Sequence, residues 1–296
     1  MNEFDAAARR LAMTNKAVDL DACIKDNMDY DALTSLASQV SVRHHKALAR
    51  KPLASDLEDA LRGRIARAQK RAEQDNKECT ENEEGRNVES CSEIATRFRV
   101  SGYQVARRLV ELFCGSKKSF SEMMEDDFQD SIDGTLYAEL LVCMSEDPYN
   151  SQPCNQMQEC IGNEFEEYLV DRLRGMDLCF ETEAELRLRG KPRTPDILFS
   201  IPVALPPCEE TYSRVAVVNW IDSKAMYADE GTFTEHIEQL QGYINRYGRG
   251  MVIYWRGFSE SVKQCPAFRS TNHMVVLLKD VPSEWILPTQ APNGEM

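Results

Sequence analysis

At 296 residues with 42% hydrophobic side chains, the chain is long enough to bury the core of one large domain or of two ordinary ones. Its 35 Lys and Arg stand against 49 Asp and Glu, a formal charge of −14 that counts against broad, unassisted binding to a phosphate backbone. The N-terminus MNEFDAAARRL has no apolar core and nowhere do eighteen apolar residues run together, so an intracellular protein without a membrane span is expected.

Residues 1–72 read as a helical region, with Leu33, Leu36, Ala37 and Val40 at three- and four-residue spacings. Arg43, His44, His45, Lys46, Arg50 and Lys51 form a basic cluster there, a solvated face before it is a phosphate contact. Residues 73–90, EQDNKECTENEEGRNVES, hold almost no apolar side chain and are expected to be a flexible acidic insertion. Residues 91–150 form a second helical region. Within it EIATRFRVSGYQVARRLVELF reads as helix, turn at Ser101 and Gly102, and helix, which places Arg107 and Arg108 on the second helix as candidate phosphate contacts. Any tight amphipathic hairpin gives the same string. A helix over 135–145 follows, and DPYNSQP then breaks the chain.

From about residue 151 the grammar changes. A helix over 157–176 precedes the β-rich runs ILFSIPVAL, VAVVNWIDSKA, MVIYW and MVVLL, and a helix over 233–247 interrupts them. The order implies an α/β domain over 151–296, a mixed sheet flanked by helices. The ten cysteines contain no C-x-x-C pair and are expected to be free thiols rather than zinc ligands.

The chemistry concentrates in two of these runs. Asp196 follows Pro195 at a strand start, where a missing N–H is tolerated. Asp222 and Lys224 are two apart on an apolar strand and project from one face. If the two strands pair, two hard oxygen ligands and one ammonium converge, a set suited to Mg²⁺-assisted phosphodiester hydrolysis, with the Ser223 carbonyl as a further ligand. The plain alternative is an exposed ion pair contributing about 0–1 kcal/mol. Glu164, between Ile161 and Tyr168 on the preceding helix, is the expected third acid, with Glu166 and Glu167 turned more toward solvent and Glu166 the substitute. Gln239 and Tyr243, four apart on the later helix, share a face and can bond a phosphate or brace the ligands.

Together T-P-D at Asp196, D-S-K at Asp222 to Lys224, the preceding helix Glu and the later Q-x-x-x-Y resemble the PD-(D/E)xK nuclease superfamily. More narrowly, IGNEFE, KPRTPDILFSIPVA, NWIDSKA and NRYGRGMVIYWRGF resemble the TPD-motif, codanin-interacting nuclease family. The resemblance implies a restriction-endonuclease-like core, Mg²⁺ or Mn²⁺, a nucleic acid substrate, a codanin-type protein partner and residence in nucleus and cytoplasm. One departure is Asp222, where a member of that family has Glu. The competing expectation is an interaction module that keeps a nuclease fold and binds a codanin-like protein with little turnover.

Overall fold

The structure is a computed structural model that describes residues 29–48, 53–75, 89–98, 100–114, 134–145 and 152–288. Most of the expected acidic insertion, residues 76–88, lies outside the described residues, as do Arg50, Lys51 and the side chains of His44, His45 and Lys46. The chain divides into a helical unit and an α/β unit, the latter formed by Gln158 onward together with the described residues up to Leu36. No described helix is long and apolar enough to cross a membrane, and the described cysteines are free thiols.

The helical unit contains the later turns of α1 (Tyr30–Leu48), then α2 (Leu53–Asp75), α3 (Cys91–Phe98), α4 (Gly102–Cys114) and α5 (Gly134–Ser145). Leu61, Ile94, Leu109, Leu136 and Leu140 are fully buried in one core, which the helical spacing of apolar residues produces. The expected helical hairpin is α3 and α4, with the Val100 N–H donating to Ala95 O at 3.0 Å across the turn. The two arginines of α4, however, are paired within the unit. Arg107 donates to Glu111 at 3.0 Å, and Arg108 reaches both Glu111 at 3.3 Å and Glu58 on α2. Arg107 and Arg108, 53% and 42% exposed, thus meet carboxylates of α4 and α2 rather than standing as unpaired cations.

In the α/β unit α6 (Gln152–Arg174) leads to β1 (Phe180–Thr182), α7 (Glu183–Leu188), β2 (Ile197–Leu205), β3 (Ala216–Lys224), α8 (Glu230–Tyr247), β4 (Gly250–Tyr254), a 3-10 turn (Glu260–Gln264), α9 (Pro266–Ser270) and β5 (Val275–Leu278). The sheet order is β1-β2-β3-β4-β5, antiparallel across the first two pairs and parallel across the last two. β3 is thus central, and its last five residues are covered on both faces. One sheet face packs Ile197, Ile221, Met251 and Ile253 against Leu169 and Leu173 of α6. The other packs Trp220, Val252 and Tyr254 against Phe233, Leu240 and Tyr243 of α8.

Sequence patterning does not show β1 and α7, because a three-residue strand and a six-residue helix are too short to carry a period. It also assigns α1 wholly to the helical region. The first turns of α1 belong to the α/β unit instead, where Ser35 Oγ accepts the Tyr227 N–H at 3.0 Å and Asp31 pairs with Arg256.

Candidate functional site

The Thr194-Pro195-Asp196 segment is held on three sides. Thr194 Oγ1 donates to Glu183 Oε1 at 3.0 Å, and the Glu183 N–H donates to Asp196 O at 3.0 Å. Glu183 is itself fixed at the first turn of α7 by the Thr182–Glu185 capping box. From the other side Tyr243 Oη donates to Thr194 O at 3.0 Å while accepting from Gln239 Nε2 at 2.8 Å. Gln239 and Tyr243 therefore brace the T-P-D segment. Tyr243 is only 3% exposed and spends its hydroxyl on this brace, whereas Gln239 remains exposed, and both line the hollow beside the motif.

The strand register brings the acids together. Ile197 faces Ile221 in the antiparallel β2–β3 pair, so Asp196, one residue earlier, lies across from Asp222. An irregularity in that pair, between Leu198 and Val203 on β2, switches the parity of β3. Val218 consequently packs with the α6 side, while Trp220 packs with the α8 side, and Asp222 and Lys224 follow Trp220. Asp196 Oδ2 accepts the Ser223 N–H at 2.6 Å, which ties the two strands at the acids themselves.

Asp222 is 1% exposed and Lys224 Nζ lies 2.9 Å from its Oδ2. That contact is one of charge, since neither buried oxygen of Asp222 accepts a hydrogen bond of good geometry. Burial and the facing Asp222 carboxylate hold the Asp196 pKa well above the ordinary range, against the pull of the Ser223 N–H and Lys224. Burial likewise raises Asp222, although Lys224 opposes it. Burial alone would lower Lys224, but Asp222 and Asp196 outweigh it and the ammonium is held above its usual value.

Glu164, the expected third acid, does not lie on the buried face of α6. It is exposed, while Glu166 is half-buried, with a pKa raised by burial and by Glu183, and it feels the charges of Lys224 and Asp222. The reason is helical phase. The face of α6 that is buried runs through Leu169 and Leu173, three and seven residues after Glu166, whereas Tyr168, which sets the expected phase, is 42% exposed. Ser223 Oγ accepts from Trp255 Nε1 at 2.8 Å and points to the opposite face, so only the Ser223 backbone carbonyl is a donor of the kind expected.

Two further residues join the site without a signal in the sequence pattern. Glu183 raises the pKa of Asp222 and Glu166 by its charge, but nothing marks it beyond its place in a capping box. His236 on α8 shares a 2.9 Å hydrogen bond with Tyr254 Oη, and burial, then the Lys224 charge, bring its pKa down to about 4. It is neutral near pH 7. Beside the carboxylates lies an open hollow of about 500 Å³, walled by Arg187, Lys191, Arg193 and Thr194 on one side and by Glu235, Glu238 and Gln239 on the other.

The donor set fits a hard divalent cation. Among the described residues no three His, Cys, Asp or Glu side chains are gathered as a ready-made metal cage. Mg²⁺, however, is commonly held by one or two carboxylates and retains water, and the buried Asp222 oxygens, which accept no hydrogen bond of good geometry, would suit such an ion beside Asp196. A pH effect follows. A carboxylate whose folded pKa is raised contributes stability that is present below the unfolded value and lost as pH rises through the folded one. Without cation, the melting temperature of this unit should fall as pH rises above the ordinary carboxylate range. Mg²⁺ or Mn²⁺ should restore it more at pH 8 than at pH 5, by about 2.7 kcal/mol at 100 times Kd. Asp222→Asn should flatten both dependences in thermal-shift scans, and an unaltered pH profile in that variant would dismiss the buried pair as their source.

Residues 132–278 match the family described as "Protein of unknown function TPD sequence-motif". The chain is 32% identical over 196 residues to CDAN1-interacting nuclease 1 of Xenopus laevis, covering 64% of this chain and 60% of that protein. It is 32% identical over 148 residues to the protein of that name from Homo sapiens, half of each chain, and 31% identical over 196 residues to the one from Gallus gallus. The chain thus spans about 60% of the length of the curated relatives it matches. No solved structure matches it.

Proposed function

Because residues 132–278 match the TPD sequence-motif family, and because two acids there face one another beside a lysine, we propose that this chain is a metal-dependent nuclease hydrolysing phosphodiester bonds of DNA or RNA. The observation that carries the reading is the facing pair of carboxylates, half-buried Asp196 just before β2 and buried Asp222 on β3, with an ammonium 2.9 Å from the second. Asp196, Asp222 and the Ser223 carbonyl would hold Mg²⁺ or Mn²⁺, with Glu166 alongside. Bound there, the cation supplies Lewis acidity toward the phosphate and lowers the pKa of water.

The chain's own groups do the rest. Lys224 stays protonated at neutral pH, so it donates from Nζ to charge developing on the phosphate or leaving oxygen and does not serve as a base. Glu166, half-buried and with its pKa raised toward the working pH, is the carboxylate tuned to take the proton of the attacking water. The Gln239–Tyr243 brace keeps Asp196 in register with Asp222.

The relatives are named as interacting with CDAN1, and a codanin-type partner in nucleus and cytoplasm belongs to the same proposal. The charge of −14 favours, as a second reading, a nuclease-fold module that binds such a partner with little turnover. Purified protein offered single-stranded, duplex and branched nucleic acids with Mg²⁺ or Mn²⁺ separates the two. Cleavage should be lost in Asp196→Asn, fall in Glu166→Gln and persist in Glu164→Gln. Equal cleavage by all four proteins would remove the catalytic assignment, and cation binding without cleavage by the unaltered chain would favour the module.

A further inference from the structure

The hollow beside the carboxylates has walls of opposite charge. Arg187, Lys191 and Arg193 stand on the segment that leads from α7 into the T-P-D motif, and Glu235, Glu238 and Gln239 face them from α8. The basic wall is shaped for an external anion. Among the described residues Lys191 makes no ion pair, and Arg193, 55% exposed, reaches α8 at one end of the hollow, where Nη1 donates to Glu238 O at 3.4 Å with the Glu238 carboxylate at 3.7 Å. Arg193 also holds a left-handed backbone, φ 55°, which a non-glycine residue adopts only under the constraint of its surroundings. Across from it, Gly242 on α8 leaves room for the guanidinium, since a Cβ there would come within 2.5 Å of its Nη1.

We propose that this hollow is the seat of a single nucleic acid strand leading to the carboxylate centre, its phosphates held by Lys191 and the exposed edge of Arg193 and its sugars and bases turned toward Glu235 and Gln239. The inference rests on the nuclease reading and adds to it the strandedness of the substrate and the residues that position it. A duplex presents phosphates on both its flanks, and two glutamates on the far wall repel one of them. A single strand carries phosphates on one flank and base amino groups on the other, which carboxylate and amide oxygens accept. Arg187 belongs to the basic wall but is tied to Glu183 at 2.7 Å, so it contributes potential rather than a free contact.

The test is the salt dependence of binding for the full chain, read by fluorescence anisotropy in EDTA with a labelled oligodeoxyadenylate, whose bases carry amino groups, and with a labelled duplex. For the single strand, Lys191→Ala and Arg193→Ala should each weaken binding and shallow the slope of log K against log salt by about 0.7, the value for one lost phosphate contact. Arg189→Ala, on the same segment but tied to Glu181 at 2.7 Å and outside the hollow, should leave the slope unchanged. Tighter binding of the duplex than of the single strand, an unaltered slope in the first two variants, an equal change in the third, or no binding of either probe would overturn the proposal. Because cleavage is not read in EDTA, shallower slopes in a protein that never cuts would overturn the nuclease reading and leave the strand seat standing.

Discussion

Lys224→Ala is expected to lower metal-dependent cleavage by about 10²–10³-fold, the usual effect of removing one preorganised donor from a developing charge. The ammonium lies 2.9 Å from Asp222 Oδ2 and is held protonated by Asp222 and Asp196, so its whole contribution is positive charge at a fixed place. The same substitution removes the group that opposes protonation of Asp222. Asp222 then binds a proton more readily, and the deficit should be greatest in mildly acidic buffer and shrink as pH is raised toward about 8.5. Cation binding at that pH, read by thermal shift, should persist, which separates a lost charge from a lost ligand. A variant that cuts as fast as the parent at all pH values would sink the assignment of Lys224.

Gly250→Ala should strongly destabilise the α/β unit. A Cβ at Gly250 would stand 2.0 Å from the Trp220 indole, which is fully buried, donates from Nε1 to Gly248 O at 2.9 Å and packs edge-on against Tyr243 at 5.2 Å. The ring has nowhere to move, so either the indole leaves its hydrogen bond or β4 separates from β3. Overpacking of this kind costs about 3 kcal/mol or more, roughly a 6–12 °C fall in melting temperature for a unit of this size. Trp220 lies two residues before Asp222 on the same face, so the residual folded protein should also cleave poorly. Gly162→Ala is the counterpart, since nothing lies within 4 Å of its added methyl and helix α6 should gain about 1 kcal/mol. Equal stability of the two variants would mean that the Trp220 contact is not tight.

The α/β half is legible where its elements are long. The β3 segment is apolar enough to read as central from the string VVNWIDSK, and it is the third strand of five. Asp222 and Lys224 share a face for the reason read in the sequence, the two-residue period of a strand, and the T-P-D motif marks Asp196. Phase and partnership are what the string conceals. Ile161 and Tyr168 look like an apolar face and so favour Glu164 over Glu166, yet the face that meets the sheet runs through Leu169 and Leu173. Arg107 and Arg108 look like free cations because Glu58, fifty residues before Arg108, is close only in the folded unit.

The sequence by itself determined the fold class, the central strand and the three residues Asp196, Asp222 and Lys224, because strand and helix periods and short motifs are local properties that any stretch of chain carries. Tertiary structure alone decided that Asp196 meets Asp222 across a register set by an irregular β2–β3 pair, that Glu166 turns inward, and that Lys191 and Arg193 face Glu235 and Glu238 across a hollow. Those relations depend on contacts between segments far apart in the chain. Burial and facing charge, which set the pKa of each acid, exist only once such segments have packed.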